Sequence, residues 1–599
     1  MIPVEPFLNV LLSHYFLYVH PLYPIIDEEQ FWLMYKRKCG TNTCMSLLGF
    51  QAMMFVSCSY VPLVEVQKYG ARSILDMRNS FFQRAKLLFD FGVEDDPLRL
   101  AQAAALLTHQ STDTDYSTNS TWLAVAIQHA RTAQSHLYDS HLAETPYKRS
   151  DLKRLWWSLA IRDRMLAVGM RRPLQIPPSM FNFASREPLL AQDLSGETFT
   201  SSVYGPAAKT ALFRIVTNVC LLVVAVTKLV QMVYPADSTM QGKKEIMLFL
   251  SEMAEVRDDL NCWKSTAMQL SSRDMQAHKS IPLYNRLVYL YYETARLTLC
   301  HHAPSWLYQS PAQEDQSELI ETMTAIHDIM QEFHADSTVE QVPLSVLSHT
   351  ALPQMVVTFG RRLALAAARH IDKDKMLNIY EELNRQCKLR FGISHISKWA
   401  AKSLQLLPSS AEAPTAESST SGSFSETPLH GVDQPRLLYS HPKLYYQLAV
   451  FIDSSLSGGK SCFSEKAPMV MRSPRSISGH FEFVPDPLQT VAVWPYLPQP
   501  SLSSSPIPHA SNTASHIRSD YKIGQVVITM TDKLEHTGSL RPEGAVGGNV
   551  GSDPRIDILE IFLDVENTAE KNSDTEHDEE SVNAAGTETI WDQIGLFGA

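Results

Sequence analysis

The chain has 599 residues, of which 44% are hydrophobic and 19% charged, so it holds enough apolar material for a large core. Its net charge of −12 excludes a free-standing basic surface of the kind that coats nucleic acid. The eight cysteines form no Cys-x-x-Cys pair, and the first residues, MIPVEPFLNV, lack the basic start of a secretory signal. We therefore expect free thiols in a reducing compartment.

Apolar residues recur three and four positions apart from residue 5 to about 405, and strand-like alternation is rare. This periodicity predicts an all-α fold, and the lack of a fixed-period repeat argues against a regular solenoid. The predicted helices span residues 5–19, 27–38, 45–60, 69–90, 97–110, 119–137, 151–168, 206–233, 242–271, 282–301, 316–334, 343–369, 374–386 and 391–407.

One apolar run, residues 215–234, has about the length of a membrane span. Asn218, Lys228 and Gln231 interrupt it, and a lysine inside a bilayer is costly. We therefore expect a buried core helix and no membrane association.

The composition changes near residue 408, which sets the predicted domain organisation. Residues 1–407 are expected to form one large helical domain. Residues 408–435 are rich in Ser, Thr, Ala and Pro and predict a flexible linker. Residues 436–456 predict a short helix able to dock on the core, and residues 457–599 a largely disordered tail.

Residues 152–178, LKRLWWSLAIRDRMLAVGMRRPLQIPP, place an Arg-Asp-Arg triplet inside an apolar helix. A helix that is apolar on nearly all sides is buried in a larger helical body. We expect Gly169 to cap this helix and Pro173 to prevent its continuation. The charges of the triplet must then be paired, because an unpaired buried charge costs several kcal/mol.

Three roles remain open for these charges. Asp163 can pair with Arg171 or Arg172 and fix the loop that follows the helix. Alternatively, Arg171 and Arg172 form an anion or ligand site, or Asp163 is catalytic, although no second titratable partner is evident at a useful spacing.

This segment resembles the hallmark of the fungal-specific transcription factor domain, also called the middle homology region. Members carry a basic residue, Leu-Trp-Trp, an Arg-Asp-Arg-like triplet, Gly-x-x-Arg-Pro and a final proline. The matching residues are Arg154, Leu155, Trp156, Trp157, Arg162, Asp163, Arg164, Gly169, Arg172, Pro173 and Pro177.

Two further segments carry the resemblance, which extends over roughly residues 5–400. Residues 286–306 are a looser match, in which Cys-His-His-Ala-Pro replaces the usual end. Residues 11–32 resemble the opening of the domain, and the matching residues are Tyr15, Phe16, His20, Pro21, Tyr23, Pro24, Ile25, Ile26, Asp27 and Phe31.

The resemblance implies a transcriptional regulator of the nucleus that controls a metabolic or secondary-metabolite gene set and is not an enzyme. Residues 1–407 would be its regulatory domain, with coregulators or a DNA-binding protein as partners and a small-molecule effector between helices. Two other classes stay open: a helical enzyme of small-molecule metabolism, and an interaction scaffold without transcriptional output.

The family's DNA-binding module holds two zinc ions with six cysteines that open as Cys-x-x-Cys. This sequence has no such block, and Cys39, Cys44 and Cys58 are expected to be structural thiols. We therefore expect no direct DNA binding by this chain and no cofactor, with zinc only if a separate N-terminal cluster module exists. A truncated gene model, a relative that lost its module, and a regulator that acts through a partner remain open.

Other metal or catalytic patterns are weak, and we predict no catalytic residue. His301-His302 lacks a third ligand at a suitable spacing, so core or surface histidines are expected. Asp95-Asp96 and Asp258-Asp259 lack the Asp-Asp-x-x-Asp clusters of helical isoprenoid enzymes and are expected to be surface helix caps.

The C-terminal tail is acidic, with 13 acidic and two basic residues between Asp553 and Asp592. Alternating acidic and apolar residues are typical of activation segments that bind a coactivator groove; a solubilising tail is the alternative. The candidate activation residues are Ile556, Leu559, Ile561, Phe562, Leu563, Trp591, Leu596 and Phe597.

Overall fold

The computed structural model describes residues 3, 5–37, 46–113, 117–140, 147–236, 246–302, 313–366, 375–394, 396 and 442–457. The chain divides into two contact units, 1–500 and 501–599, and all of these residues belong to the first. Every regular element among them is a helix, so the predicted all-α class is confirmed. The predicted helix 391–407 beyond residue 396, the linker 408–435 and the tail beyond 457 lie outside the described residues, and the domain boundaries stay predictions.

Side-chain caps define several starts among the first helices. The Ser73 hydroxyl accepts a hydrogen bond from Asp76 N at 3.0 Å, and the Asp96 carboxylate accepts one from Leu98 N at 2.8 Å. These helices are α1 (Glu5–Tyr18), α2 (Glu28–Arg37), α3 (Leu47–Ser57), α4 (Leu63–Lys68), α5 (Ile74–Asp90), α6 (Pro97–Leu107), α7 (Thr118–Thr132) and α8 (Arg149–Met170), with 3-10 turns at Cys58–Tyr60 and Ser135–Leu137.

Proline at the first helical position starts the long core helix that follows, and the 3-10 segments Phe183–Ser185 and Ala191–Thr198 precede it. A further 3-10 turn lies at Val339–Gln341. The remaining helices are α9 (Pro206–Val233), α10 (Ile246–Thr266), α11 (Ser272–Gln276), α12 (Ser280–His301), α13 (Gln313–Ala335), α14 (Ser345–His349), α15 (Ala351–Ala366), α16 (Lys375–Phe391) and α17 (Pro442–Ser457).

Two predicted helices differ from the observed ones. The predicted helix 69–90 begins only at Ile74, because Gly70 adopts a φ of 85° and Ser73 caps α5. Helix α4, which precedes it, was not predicted. The predicted helix 343–369 is divided at Thr350 into α14 and α15. The spacing of apolar residues did not indicate the turn at Gly70 or the division at Thr350, because both depend on the backbone at a single position.

Helix α8 packs between neighbouring helices of the bundle. It contacts α7 on one side and α9 on the other, and α9 in turn packs on α10 and α12. All residues from Leu152 to Met170 are buried. The helix that carries the Arg-Asp-Arg triplet is therefore internal, as the sequence predicts.

Helix α9 is long and apolar enough to cross a membrane, but 72% of its most apolar window is buried within the protein. Its neighbours α8, α10 and α12 cover it, and Lys228 pairs with Glu255 of α10. In this structure the run acts as a core helix.

Candidate functional site

Two residues of the Arg-Asp-Arg triplet, Asp163 and Arg164, form a closed network that fixes the chain after α8. One oxygen of Asp163 accepts from Arg164 Nη1 at 2.9 Å and from Ile176 N at 3.1 Å, while the other accepts from Gln175 N at 2.9 Å. Arg164 Nη2 donates to Ile176 O at 2.9 Å. Burial raises the pKa of Asp163, and the pairing with Arg164 only partly offsets this effect. The carboxylate orders a loop and has no open side for a substrate.

The expected pairing of Asp163 with Arg171 or Arg172 is wrong. Arg164, the adjacent residue, takes that position because its side chain and the returning loop lie on the same side of α8. Arg171 Nε instead donates to the Asp453 carboxylate at 2.9 Å, and Arg172 donates to the Ser120 hydroxyl at 2.6 Å. The two arginines therefore connect α8 to α17 and α7.

Gly169 does not cap α8, contrary to the sequence-based expectation. The helix continues to Met170, and Arg171 adopts the left-handed conformation with a φ of 54°. Pro173 follows at an exposed position and does not continue the helix. Glycine is needed for a different reason: a Cβ at position 169 would lie 2.8 Å from both Ser348 Oγ and His349 Cε1 of α14.

Replacing Gly169 by alanine should destabilise the protein by about 1–3 kcal/mol, because the added methyl group overpacks the contact between α8 and α14. His349 cannot yield cheaply, since its ring is buried and bonded to Ser345 O at 2.7 Å. Gly49→Ala is the matched control, because its Cβ would meet only ordinary contacts of 3.6 Å or more. That control should be neutral or slightly stabilising. Thermal unfolding of both variants measures the difference, and equal midpoints would contradict the steric argument.

The adjacent tryptophans are packing residues. Both side chains are fully buried. The Trp156 ring lies 5.6 Å from Phe181, the Trp157 ring lies 4.9 Å from Phe183, and Trp157 Nε1 donates to Tyr138 OH at 3.2 Å. They hold the segment that follows α8 against the helix.

A second buried network forms around Glu197, in the 3-10 segment before α9. One oxygen of Glu197 contacts His20 Nε2 and Lys209 Nζ, each at 2.9 Å, and the other accepts from Arg154 Nη1. Lys209 also donates to Glu28 of α2. This network joins the turn after α1 to α2, α8 and α9, and His20 and Arg154 come from the two family-like motifs.

The other residues of the N-terminal motif support the same region. Asp27 caps α2 by accepting from Gln30 N at 3.0 Å. Tyr15 is fully buried, and Pro21 and Pro24 are buried in the turn after α1. The motif therefore shapes the chain around Glu197.

Acid should weaken this network. Burial alone would raise the pKa of Glu197, but His20, Lys209 and Arg154 outweigh it and hold that pKa well below 4.5. Because the folded pKa is lower than the unfolded one, Glu197 contributes stability above about pH 4.5 that is lost as the pH falls through the folded pKa. We expect the stability difference between the native chain and Glu197→Gln to shrink between pH 6 and pH 3. Denaturation series at each pH test this, and a constant difference would contradict it.

The third charge of the triplet lines a cavity. Arg162 Nε donates to Thr108 Oγ1 at 2.9 Å and Nη2 to Thr108 O at 2.8 Å. The cavity has a volume of about 50 Å³ and is also lined by Tyr23, Arg78 and Ser348. This volume equals the space of about three to five water molecules, or of a small anionic group.

The cavity wall is cationic. Arg78 Nη1 donates to the Ser59 hydroxyl at 2.6 Å, and its guanidinium stacks 4.1 Å from the centre of the Phe55 ring. Burial lowers the pKa of Arg78 to about 10, so it stays charged at neutral pH. Within the described ranges, Arg78 and Arg162 bond to carbonyl and hydroxyl oxygens and to no carboxylate. The arrangement can stabilise an anion.

The histidine pair does acquire a third potential ligand. His301, His302 and Asp453 bring ligand atoms within 4.8 Å of one another, although Asp453 is far away in sequence. Of the acidic pairs, Asp96 caps α6 as expected, whereas Asp258 and Asp259 lie exposed inside α10 and cap nothing.

Sequence reasoning missed four buried partners: Glu28, Glu197, Lys209 and Asp453. Two of them carried a usable signal, since Lys209 is one of three charged residues in the 28-residue α9 and Asp453 is the one acidic residue of α17. Glu197 lies in a short 3-10 segment without periodicity and carried none. The candidate activation residues from Ile556 to Phe597 lie outside the described residues.

Comparisons with known proteins agree with the motif reading. Residues 12–265 match the family model described as the fungal specific transcription factor domain. Cutinase transcription factor 1 beta of Fusarium vanettenii is 37% identical over 30% of this chain and 21% of that protein. Transcription factor cpaR of Aspergillus oryzae is 26% identical over 53% and 55%, and the acetamidase regulatory protein of Aspergillus fumigatus is 32% identical over 33% and 24%. The chain thus covers less than two thirds of each of these relatives. No solved structure matches it.

Proposed function

We propose that this chain, which carries a fungal-specific transcription factor domain in residues 12–265, is a transcriptional regulator and not an enzyme. The observation that carries the proposal is the match itself, because the matched range contains both buried networks and all of α8. The relatives that cover parts of the chain are named as transcription factors or regulatory proteins.

The geometry supports a non-enzymatic role. Asp163, the acid at the centre of the motif, is buried and fully engaged with Arg164 and two backbone N–H groups. Glu197 is enclosed by His20, Arg154 and Lys209. Neither carboxylate is open to a substrate, so both serve architecture.

We assign the cavity beside Arg162 to a small anionic effector, such as a molecule that presents a carboxylate or phosphate group. Burying two guanidinium groups without a carboxylate partner lowers stability, and a bound anion would offset this. Because α3, α5, α7, α8 and α14 all contribute lining residues, an effector bound there would bias how these helices pack.

Gene control needs contact with DNA and with the transcription machinery. No Cys-x-x-Cys pair occurs in this sequence, so we place DNA recognition outside residues 1–599. The proposed partners are a DNA-binding protein and coregulators in the nucleus, and the acidic, apolar tail is the proposed contact with a coactivator. The proposed targets are metabolic or secondary-metabolite genes.

A reporter assay tests the regulatory function. The full chain, and separately residues 540–599, would be fused to an unrelated DNA-binding module. We expect the full chain to change reporter expression relative to the module alone, and alanine at Ile561, Phe562 and Leu563 to weaken activation by the tail fragment. A full-chain fusion that leaves expression unchanged would contradict the proposal.

Anions should stabilise the protein through the cavity. We expect inorganic phosphate, oxalate or citrate, at ionic strength matched with chloride, to raise the thermal midpoint; an anion at 100 times its Kd stabilises by about 2.7 kcal/mol. Arg162→Met should abolish the rise while leaving the fold intact, because among the described residues this arginine has no carboxylate partner to strand. Arg186→Met, which alters an exposed pair with Asp139, is the control and should keep it. Equal shifts in both variants, or no shift with any anion, would refute the effector assignment.

A further inference from the structure

We propose that the cavity beside Arg162 binds a short aliphatic carboxylate, with the carboxylate group held by Arg162 and the hydrocarbon part enclosed by α8 and α14. The proposal rests on the anion site assigned above and adds the chemical class of its ligand. Three features of the cavity support it: the hydrogen-bond donors that face it, the apolar side chains beside them and the size of the space.

Three hydrogen-bond donors of the cavity wall have no protein partner in the described part of the chain. Arg162 bonds to Thr108 through Nε and Nη2, so its Nη1 remains for a ligand. Tyr23 and Tyr60 also line the cavity, and neither hydroxyl group bonds to a described residue. The Arg162 guanidinium lies 5.9 Å from the centre of the Tyr23 ring. Burial raises the pKa of Tyr60 to about 12, so its hydroxyl stays protonated at neutral pH and can donate to an anion.

The charge around these donors is positive. Arg78 and Arg162 both act to lower the pKa of Tyr60, which places its hydroxyl within reach of both guanidinium charges. His109 also lines the cavity, but burial and the nearby Arg162 hold its pKa well below 6.5, so its ring is neutral. The two arginines therefore supply the positive charge of the site, and an anion is the ligand that it favours.

One carboxylate group matches this set of donors. Its two oxygens accept about four hydrogen bonds, whereas inorganic phosphate brings four oxygens that all need partners. Three donors would leave several phosphate lone pairs unpaired in a largely enclosed space, which is unfavourable. The donor set therefore favours a carboxylate over a phosphate.

Apolar side chains lie beside the donors. Met165, Leu166 and Met170 line the cavity from the same face of α8 as Arg162, at spacings of three, four and eight residues from it. At a rise of about 1.5 Å per residue, this face runs about 12 Å along the helix. Leu344, at the N-terminal cap of α14, adds to the apolar wall. A hydrocarbon chain attached to the carboxylate would leave water here, which favours binding.

The volume limits the length of that chain. A cavity of about 50 Å³ takes the space of about three to five water molecules. A carboxylate group occupies roughly the space of two of these waters, so about one to three further carbon atoms fit. We therefore expect acids of three or four carbons to fill the cavity and longer acids to gain nothing more.

Titration of the full chain with a series of carboxylates tests the ligand class. Isothermal titration calorimetry would compare formate, acetate, propionate, butyrate and hexanoate, with inorganic phosphate as the anion that has no hydrocarbon part. All would be used at an ionic strength matched with chloride. We expect the affinity to rise about fourfold for each added carbon as far as propionate or butyrate and then to stop rising. Phosphate should bind more weakly than propionate.

Two substitutions separate the two ends of the ligand. Tyr60→Phe keeps the ring but removes a donor, so it should weaken formate and propionate binding by the same factor, about tenfold. Leu344→Asn should leave formate binding unchanged and remove the gain from added carbons; asparagine suits the N-cap position that Leu344 holds. The matched controls are Tyr35→Phe, whose hydroxyl bonds to exposed Asn9, and Leu63→Asn, at an exposed leucine of α4. Both should bind the whole series as the native chain does.

Two negative results are distinguishable. If phosphate and all carboxylates bind equally through Arg162, with no gain from added carbons, the anion site holds and the ligand class is wrong. If no anion binds, or if Arg162→Met binds as the native chain does, the anion site is wrong and the carboxylate with it. A gain that persists in Leu344→Asn would overturn the placement of the hydrocarbon part. Unchanged far-ultraviolet circular dichroism shows that a variant is folded, and Tyr23→Phe takes the place of Tyr60→Phe if the latter does not fold.

Discussion

Replacing Asp163 by alanine should lower the free energy of unfolding by about 3–5 kcal/mol. The change leaves the buried Arg164 guanidinium without its countercharge and leaves the N–H groups of Gln175 and Ile176 without acceptors. Loss of the loop that follows α8 would then expose the rings packed beneath it. Chemical denaturation of the full chain, followed by circular dichroism, measures the effect.

A double-mutant cycle measures the coupling energy between Asp163 and Arg164. Burial disfavours the charged form of both residues, raising the pKa of Asp163 and lowering that of Arg164, so removing both charges also removes their desolvation penalty. We expect Asp163→Ala combined with Arg164→Met to cost clearly less than the sum of the two single changes. Asp90→Ala, which breaks an exposed pair with Lys86, is the control and should fall within about 0.5 kcal/mol of the native chain. Additive costs would show that the two charges do not depend on each other.

Glu197→Ala should have the largest effect of all, at about 5 kcal/mol or more. It leaves Lys209 with Glu28 alone, removes the carboxylate closest to Arg154, and leaves His20 Nε2 without its partner. One substitution therefore affects two buried cations, the turn after α1 and the helices α2, α8 and α9. The expected result is a large fall in the denaturation midpoint or a chain that does not fold at 25 °C.

Glu187→Ala is the matched control for that experiment. Glu187 belongs to the same connection between α8 and α9, but it is about half exposed, and its ion pair among the described residues is with Lys153, at 3.3 Å. Exposed ion pairs contribute about 0–1 kcal/mol, so this variant should fold normally. To keep the test quantitative if Glu197→Ala fails to fold, Glu197→Gln retains two acceptor or donor positions and should be intermediate. Three variants of equal stability would contradict a central role for Glu197.

Much of the architecture follows from local pattern. The all-α class, the burial of the tryptophan helix and the start of α9 at Pro206 were predictable because apolar periodicity and capping residues act over short distances. The breaks at Gly70 and Thr350 were not, because each depends on how one residue turns the backbone. Gly169 was wrongly predicted to cap α8. A glycine that caps a helix cannot be told from the sequence apart from a glycine that allows close packing of another helix.

The sequence identified some residues of the candidate sites but not the partners that they contact. Arg162, Asp163, His20 and the histidine pair stood out by residue type and motif. Asp163 pairs with its neighbour Arg164, but the others contact partners that are distant in sequence. Asp453 is 282 positions from Arg171. No spacing rule joins such residues, since a helical bundle decides which segments meet only when the whole core has packed.

The partners of Glu197 also set an order of events during synthesis. His20 is 177 residues from Glu197, and Glu28 is 181 residues from Lys209. Helices α1 and α2 therefore leave the ribosome long before the charges that complete their surroundings exist. At about 5–20 residues per second, they wait roughly 10–40 seconds in an unfinished state. During this interval the first apolar helices are open to aggregation, so we expect faster translation of the intervening segment to shorten their exposure.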